Sequence, residues 1–438
     1  MEPSRPVSNT SPQQANWLNR APAAVLAAYA IAAAFGVYFC MYAFRRPFDA
    51  VTFTDVRFLN TSIDLKTACV ISQLIGYLLS KYVGALVCAE VRAHHRARLL
   101  ISLILISETG LLLFAVLPPD WKPLGMLVNG LPLGMVWGVV VRYLEGRRSS
   151  EVLLAGLSCS YIIAGAITRD IGRDLVMTTW HVPAVWMPVV TGGLFFVPLW
   201  LSIRMLDRLP PPGPDDVAQR APRHRMEAGQ RRAFLKRFHV GLFLLLTAYF
   251  FLTAFRDFRD HYSAELFASL RLSHERSIFT QTEKWAVFGT IPAMGALSLI
   301  ASHRGALLAT YTLIVCGFAT IGLATWAFSS QLVSGYVWMA WTGVGLYLAY
   351  VPFGVSLFER LMAGSRMSGT SVFAIQLADG VGYTGSAIIQ LYRDLIHGQS
   401  DRLAFMIPFA QIVSIAGVVL ITASGLFMLG RVSDPPGE

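Results

Sequence analysis

Apolar runs of about 20 residues recur along this chain, and that recurrence limits what it can fold into. In hydrocarbon every backbone N–H and C=O must be satisfied internally, so a continuous apolar run of this length is a transmembrane helix. The runs fall near 23–44, 67–89, 98–117, 122–143, 150–172, 183–205, 238–256, 277–301, 305–327, 333–357, 367–392 and 404–430, giving twelve spans. Composition agrees: 55% of the 438 residues are hydrophobic and 14% charged, against about 25% charged in soluble domains. The stretch Met1–Arg20 is polar, and the run after it is too long for a signal-peptide core, so the first span is expected to be retained.

The chain divides six plus six. Between spans 6 and 7 lies the basic, Pro-rich stretch Asp207–Phe238, which has too few apolar residues to pack a core. The expected organisation is an N-terminal tail (1–22), a six-helix half (23–206), a linker (207–237), a second six-helix half (238–430) and a tail (431–438). An internal repeat supports it. "AFRRPFD" at Ala43 matches "AFRDFRD" at Ala254, and "ISQLIGY" around Gln73 matches "FTQTEKW" around Gln281. "YLEGR" at Tyr143 matches "LFERL" at Leu357, and "GLSCSYI" at Gly156 matches "GTSVFAI" at Gly369. The four matches are collinear, at offsets of 208 to 214. The expected fold class is therefore an all-α polytopic membrane protein, with twelve transmembrane helices in two pseudo-symmetric six-helix bundles.

The net charge of +10 follows this topology. With the N-terminus inside, the cytoplasmic segments hold 21 Lys and Arg, while the outer segments hold 13 together with twelve acids. The positive-inside rule then puts both termini and the linker in the cytoplasm of a bacterial inner membrane. No aromatic-interleaved basic stripe accompanies the charge, so a nucleic-acid partner is not expected. Cys40, Cys69, Cys88, Cys159 and Cys316 sit singly in apolar runs, which reads as small core hydrophobes without disulfide or metal. His94, His95, His181 and His261 lack catalytic spacing and no Walker loop occurs, so neither an enzyme nor a cofactor is expected.

Ionisable residues inside spans are costly and usually face a cavity or a partner. Glu108, Lys81, Glu283, Lys284 and Asp379 are the ones to weigh. The chain has 31 Arg and five Lys, so Lys is the rarer choice and Lys81 and Lys284 gain weight. Glu283 and Lys284 point about 100° apart on a helix, so each is expected to pair elsewhere, for example with Arg256 or Asp257. Asp379 lies among Gly380, Gly382, Tyr383 and Gly385, which fits either close helix packing or a proton coupler. Glu108 fits either a buried partner of Ser107 and Thr109 or a coupling group. Arg142, Glu145, Arg147, Glu359, Arg360 and Arg366 at cytoplasmic helix ends read as salt bridges between the halves.

Two adjacent arginines close the first span, in "YAFRRPFDA". Tyr42, Arg45, Arg46 and Phe48 there resemble a Tyr-x-x-Arg-Lys-x-Phe pattern of the organophosphate:phosphate antiporter branch of the major facilitator superfamily. Ser80, Lys81 and Tyr82 resemble its Ser-Lys-Phe pattern. Arg256 stands where that branch has a second substrate arginine, and Gly382 to Gly385 match its Gly-Tyr-x-Gly stretch. The resemblance implies an anion gripped by Arg45 and Arg256, one per half, with Lys81 adding positive potential. Three departures stand beside it: "GALVCAEVRAHHRAR" replaces the usual loop after span 2, the span 5 His is absent, and Asp257 follows Arg256. Over residues 25–400, stretches such as "GLPLGMVWG", "YLEGRR", "TAFRDFRD" and "YLAYVPF" are similar to an uncharacterised bacterial family of facilitator-like proteins.

The resulting expectation is a monomeric secondary transporter in the lipid bilayer, moving a small anionic (phosphorylated or carboxylated) or polar metabolite by alternating access, with protons or phosphate as coupling ion. The expected substrate-binding residues are Arg45, Arg256, Lys81, Tyr42, Gln73 and Gln281. The expected coupling or gating residues are Asp379, Glu108, Glu283 and Lys284. A proton-coupled symporter of a neutral solute using Asp379 and Glu108, and a non-transporting membrane sensor or scaffold, are the alternatives. Counted from Ala23, Arg45 lies roughly 33 Å along a helix, at the outer boundary unless the span is offset.

Overall fold

The computed structural model describes residues 17–19, 21–53, 56–144, 160, 162–210, 228–365, 372–397 and 401–432. Most of the linker, the extreme tails and the segment 145–159 lie outside the described residues, and with them the repeats at Tyr143–Arg147, Gly156 and Gly369 in whole or part. Twelve long helices follow one another. In the first half they are α1 (Ala23–Tyr42), α2 (Leu65–Glu90), α3 (Arg96–Val116), α4 (Lys122–Leu144), α5 (described over 162–170 and continuing as a wider π turn, Ile171–Thr179) and α6 (Met187–Asp207). In the second they are α7 (Ala228–His261), α8 (Ile278–Ser298), α9 (His303–Ser329), α10 (Gly335–Pro352), α11 (Val372–Tyr392) and α12 (Arg402–Leu429). α10 continues through Phe353–Leu357 and Phe358–Ser365, and α11 through Arg393–His397. An even number of crossings puts both termini and the linker on one side.

Eight of these segments are long and apolar enough to cross a membrane by length and composition alone. Of the other four, α5 is only partly described, and α2, α8 and α11 are the helices that carry Lys81, Glu283 with Lys284, and Asp379. Their polarity has a structural cause. Ion pairs cross from α2 to α11 and from α7 to α8, so these helices turn charge towards protein rather than lipid.

The packing repeats with the sequence. α2 lies on α4, α3 on α4, α3 on α6 and α1 on α6. Six helices later α8 lies on α10, α9 on α10, α9 on α12 and α7 on α12. Close approach depends on small residues. A methyl group on Gly130 of α4 would overlap the backbone carbonyl of Gln73 on α2. At Gly345 of α10 it would come within 2.6 Å of the carbonyl of Gly317 on α9. The first half is also tied at depth by Asn129, whose side-chain amide accepts from Gln73 at 2.7 Å and donates to the Phe44 carbonyl at 2.9 Å and Ser107 Oγ at 2.7 Å. That knot fixes the backbone immediately before Arg45.

After Tyr42 the chain leaves the helix and stays inside the protein. Residues 43–46 form turns, Pro47–Ala50 form one 3-10 turn, and every residue from 43 to 51 is buried. Arg45 therefore lies inside the protein rather than at its outer boundary. Cys40 and Cys69 are buried as expected, whereas Cys316 faces outward from α9.

Gly130→Val should wedge α2 from α4. An overpacked helix contact costs about 1–3 kcal/mol, so the purified variant should unfold at a lower temperature than Gly295→Val, where a side chain meets open space.

Candidate functional site

Where the two halves meet, two arginines lie on either side of an edge-to-face pair of tyrosines. Arg45 is 4% exposed, and its guanidinium carbon lies 4.3 Å from the centre of the Tyr77 ring on α2. Tyr77 meets Tyr383 of α11 edge-to-face at 5.5 Å between centroids. Arg256 of α7 lies 6.0 Å from that Tyr383 ring and 4.2 Å from Tyr350 of α10. One arginine from each half is thus held against rings, an arrangement that orients a guanidinium by cation–π attraction while leaving its edge N–H groups to a ligand.

The two differ in what balances them. Arg256 donates through Nε and Nη2 to Asp257 Oδ1, at 3.0 and 2.7 Å. Arg45 meets no carboxylate and no side-chain acceptor among the described residues, and its Nε is buried without a partner. A desolvated, unpaired cation costs several kcal/mol, so this position favours an incoming anion. On the linker side of the tyrosines, Lys81 of α2 forms an ion pair with Asp379 of α11, closing a contact between the halves. Tyr249 of α7 donates its hydroxyl to the other Asp379 oxygen at 3.2 Å, and Lys81 sits 5.4 and 5.2 Å from the Tyr77 and Tyr383 rings.

Away from the linker the halves are sealed by a dense polar layer. Arg46 bridges Asp49 at 2.9 Å and Asp260 at 3.2 Å. Asp49 also accepts from His261 at 2.7 Å, with both side chains fully buried. Burial opposes the Asp49 carboxylate, but His261 and Arg46 outweigh it and hold its carboxyl below the usual range. Lys66 pairs with Glu265 at 2.8 Å, Thr67 meets the Tyr262 hydroxyl at 2.6 Å, and Asp64 holds Arg402 at 2.7 Å. Asp170 at the end of α5 accepts from the backbone N–H of Phe279 and Thr280, at 3.2 and 2.7 Å. It thereby caps the positive N-terminus of a helix in the opposite half.

Exposure changes along one stripe of α11. Arg393, Gln390, Ser386 and Tyr383 are buried, the Asp379 side chain is 18% exposed, and Gln376 is exposed. On α2 the same progression runs from Lys66 at 1% to Lys81 at 26%. Exposure thus rises along both helices from the polar layer past the arginines, towards the side where α6 ends and α7 begins.

Four of the expected residues, Arg45, Arg256, Lys81 and Asp379, meet at this centre. Tyr42 is nearby, edge-to-face with Tyr38 at 5.6 Å. The others are elsewhere. Gln73 is consumed by Asn129 in the first half's own scaffold, and Gln281 donates to the Arg276 carbonyl at the exposed start of α8. Glu108 packs against Gly192 and Gly193 of α6, away from the interface between halves. Glu283 pairs with Arg259 rather than with Arg256 or Asp257. Lys284 lies 5.3 Å over the Trp285 ring. Sequence reading passed over Tyr77, Tyr249 and Tyr350. Tyr77 carried a usable signal, one helical turn before Lys81 on the same face.

Comparisons with known proteins agree with this architecture. A family model described as a family of unknown function (DUF5690) matches residues 47–431. No curated protein sequence matches. Among solved structures, a D-xylose-proton symporter aligns with a TM-score of 0.61 at 13% identity, covering 94% of this chain and 99% of that one. The nucleoside transporter NupG aligns at 0.60 and 14% identity, with 92% and 99% covered. A bacterial homologue of the human drug peptide transporters PepT1 and PepT2 aligns at 0.61 and 13% identity, with 93% and 100% covered. The chain has the major facilitator fold of twelve helices in two halves, and it is a multi-pass membrane protein.

In a cysteine-free background, Gln376→Cys should react with an impermeant maleimide added on the linker side. Ser386→Cys, nearly three turns deeper, should stay unlabelled until the seal opens. Equal labelling of both from that side would contradict the one-sided opening.

Proposed function

This chain belongs to the family of unknown function DUF5690, and we propose that it is a secondary transporter moving a small anionic metabolite by alternating access. The observation that carries the reading is Arg45, a buried guanidinium at the junction of the halves with no acid beside it among the described residues. An anion bound there lies close to Tyr383 and Arg256 of the other half, so binding biases how the halves sit. The layer of Arg46, Asp49, Asp260 and His261 is the gate that must separate for the site to face the other way. Its charges recover water as it opens, which keeps the two states close in free energy. The halves are taken as 23–206 and 238–430, with both termini and the linker cytoplasmic in a bacterial inner membrane, as the distribution of Lys and Arg supports.

Asp379 favours a coupling role within the same scheme. Its carboxylate joins Lys81 across the interface and is partly exposed towards the open side. A proton arriving there would dissolve the ion pair and release Lys81. The named neighbours include a proton symporter, which fits such a step without identifying it in this chain.

Reconstituted in liposomes, the protein should exchange a labelled anion found by thermal-shift screening. Arg45→Lys should lower that exchange at least tenfold, because charge remains but the bidentate fork is lost. Asp379→Asn should abolish the dependence of uptake on a pH gradient while preserving exchange. Ligand binding without flux would instead mark a sensor, and insensitivity to Arg45→Lys would remove the anion site.

A further inference from the structure

The charge balance of the central site distinguishes one class of anion from another. Three cations, Arg45, Lys81 and Arg256, line it against two carboxylates, Asp257 and Asp379. Asp257 is committed to Arg256 through both Nε and Nη2, and Asp379 to Lys81. One positive charge is left over, and it sits on Arg45. The layer beyond is paired within itself: Arg46 bridges Asp49 and Asp260, Arg259 meets Glu283 and Asp260, Lys66 meets Glu265 and His261 meets Asp49, while Arg169 donates to the Asp260 carbonyl and Ser263.

We propose that the site selects a singly charged anion, a monocarboxylate on a hydroxyl-bearing or ring-bearing body, over a doubly charged phosphate monoester. The proposal rests on the anion-transport reading and narrows its substrate class. A carboxylate offers two oxygens to one guanidinium and cancels the single excess charge. A phosphate monoester carries close to two negative charges above pH 6, and the second would stand uncompensated in a desolvated site. Drawing Arg256 or Lys81 to it would strand Asp257 or Asp379 instead. The surroundings suit the body of such a molecule. Tyr38, Tyr42, Tyr77, Tyr350 and Tyr383 offer rings and hydroxyls around the two arginines, with Tyr38 packed against Trp137 at 5.0 Å.

The test uses matched pairs on one skeleton, glucuronate with glucose 6-phosphate and glycerate with glycerol 3-phosphate, titrated into the full-length protein in nanodiscs. At pH 8 each carboxylate should bind at least tenfold tighter than its phosphate partner. Between pH 8 and pH 5 the phosphate sheds its second charge while the carboxylate keeps its one. The affinity ratio should therefore move about tenfold towards the phosphate, and a proton taken up by the site itself adds positive charge and pushes the ratio the same way. Asp379→Asn frees Lys81 and leaves two excess positive charges, so it should shift preference at least tenfold towards the phosphate at pH 8. If that variant does not fold, the pH series on the unmodified protein decides alone. Tighter phosphate binding at pH 8, or a ratio that ignores pH, would overturn the monoanion assignment and leave the transport reading standing. Binding of none of the four anions at either pH would overturn both.

Discussion

A charge removed from water has to find an opposite charge or a dipole, and this molecule satisfies that requirement largely across the seam between its halves. Arg46 reaches Asp260, His261 reaches Asp49, Lys66 reaches Glu265, and Lys81 reaches Asp379. In an apolar seam the two halves would adhere by contact area, and opening would cost in proportion to it. A seam of ion pairs behaves differently, because each partner regains hydration when the pair separates. Cross-half pairing thus gives register when closed and a modest cost when open, which a rocking mechanism needs.

The same requirement makes Arg45 informative. Its neighbour Arg46 has two carboxylates, and Arg256 has one, yet Arg45 has an aromatic face and an unpaired Nε. Among the described residues, a fold that gives so many of its buried charges a partner leaves Arg45 without one at the point where both halves converge. The tyrosines there hold the guanidinium in place without neutralising it. The scaffold beneath is rigid for a separate reason: Gly130 lets α4 touch the α2 backbone, and Asn129 ties α2, α3 and α4 to the carbonyl just before Arg45.

The linear pattern carried the architecture and part of the site. Length and apolarity of the runs, with the repeat joining Ala43 to Ala254, specify twelve helices in two halves, because the bilayer allows few other solutions. Lys81 and Asp379 stood out as costly residues inside spans, and Arg45 and Arg256 through the repeat and the resemblance to the antiporter pattern; these four converge. Glu108 stood out as a charge within a span, and Gln73 and Gln281 as a repeated pair, and they do not. Gln73 and Glu108 answer to packing within one half, and Gln281 lies at an exposed helix start. Polarity within a span says that a partner exists, not which side of the helix it is on.

By itself, then, the sequence determined the number of crossings, their two-fold repetition and the short inventory of ionisable groups that the membrane makes expensive. These are local properties, set by the transfer cost of each run. Only the tertiary structure decided that α1 breaks at Tyr42 and keeps Arg45 inside, that Lys81 meets Asp379 from 298 residues away, and that Arg256 spends its charge on Asp257 while Arg45 keeps its own. Such pairings depend on which faces of distant helices are brought together, and no local pattern encodes that.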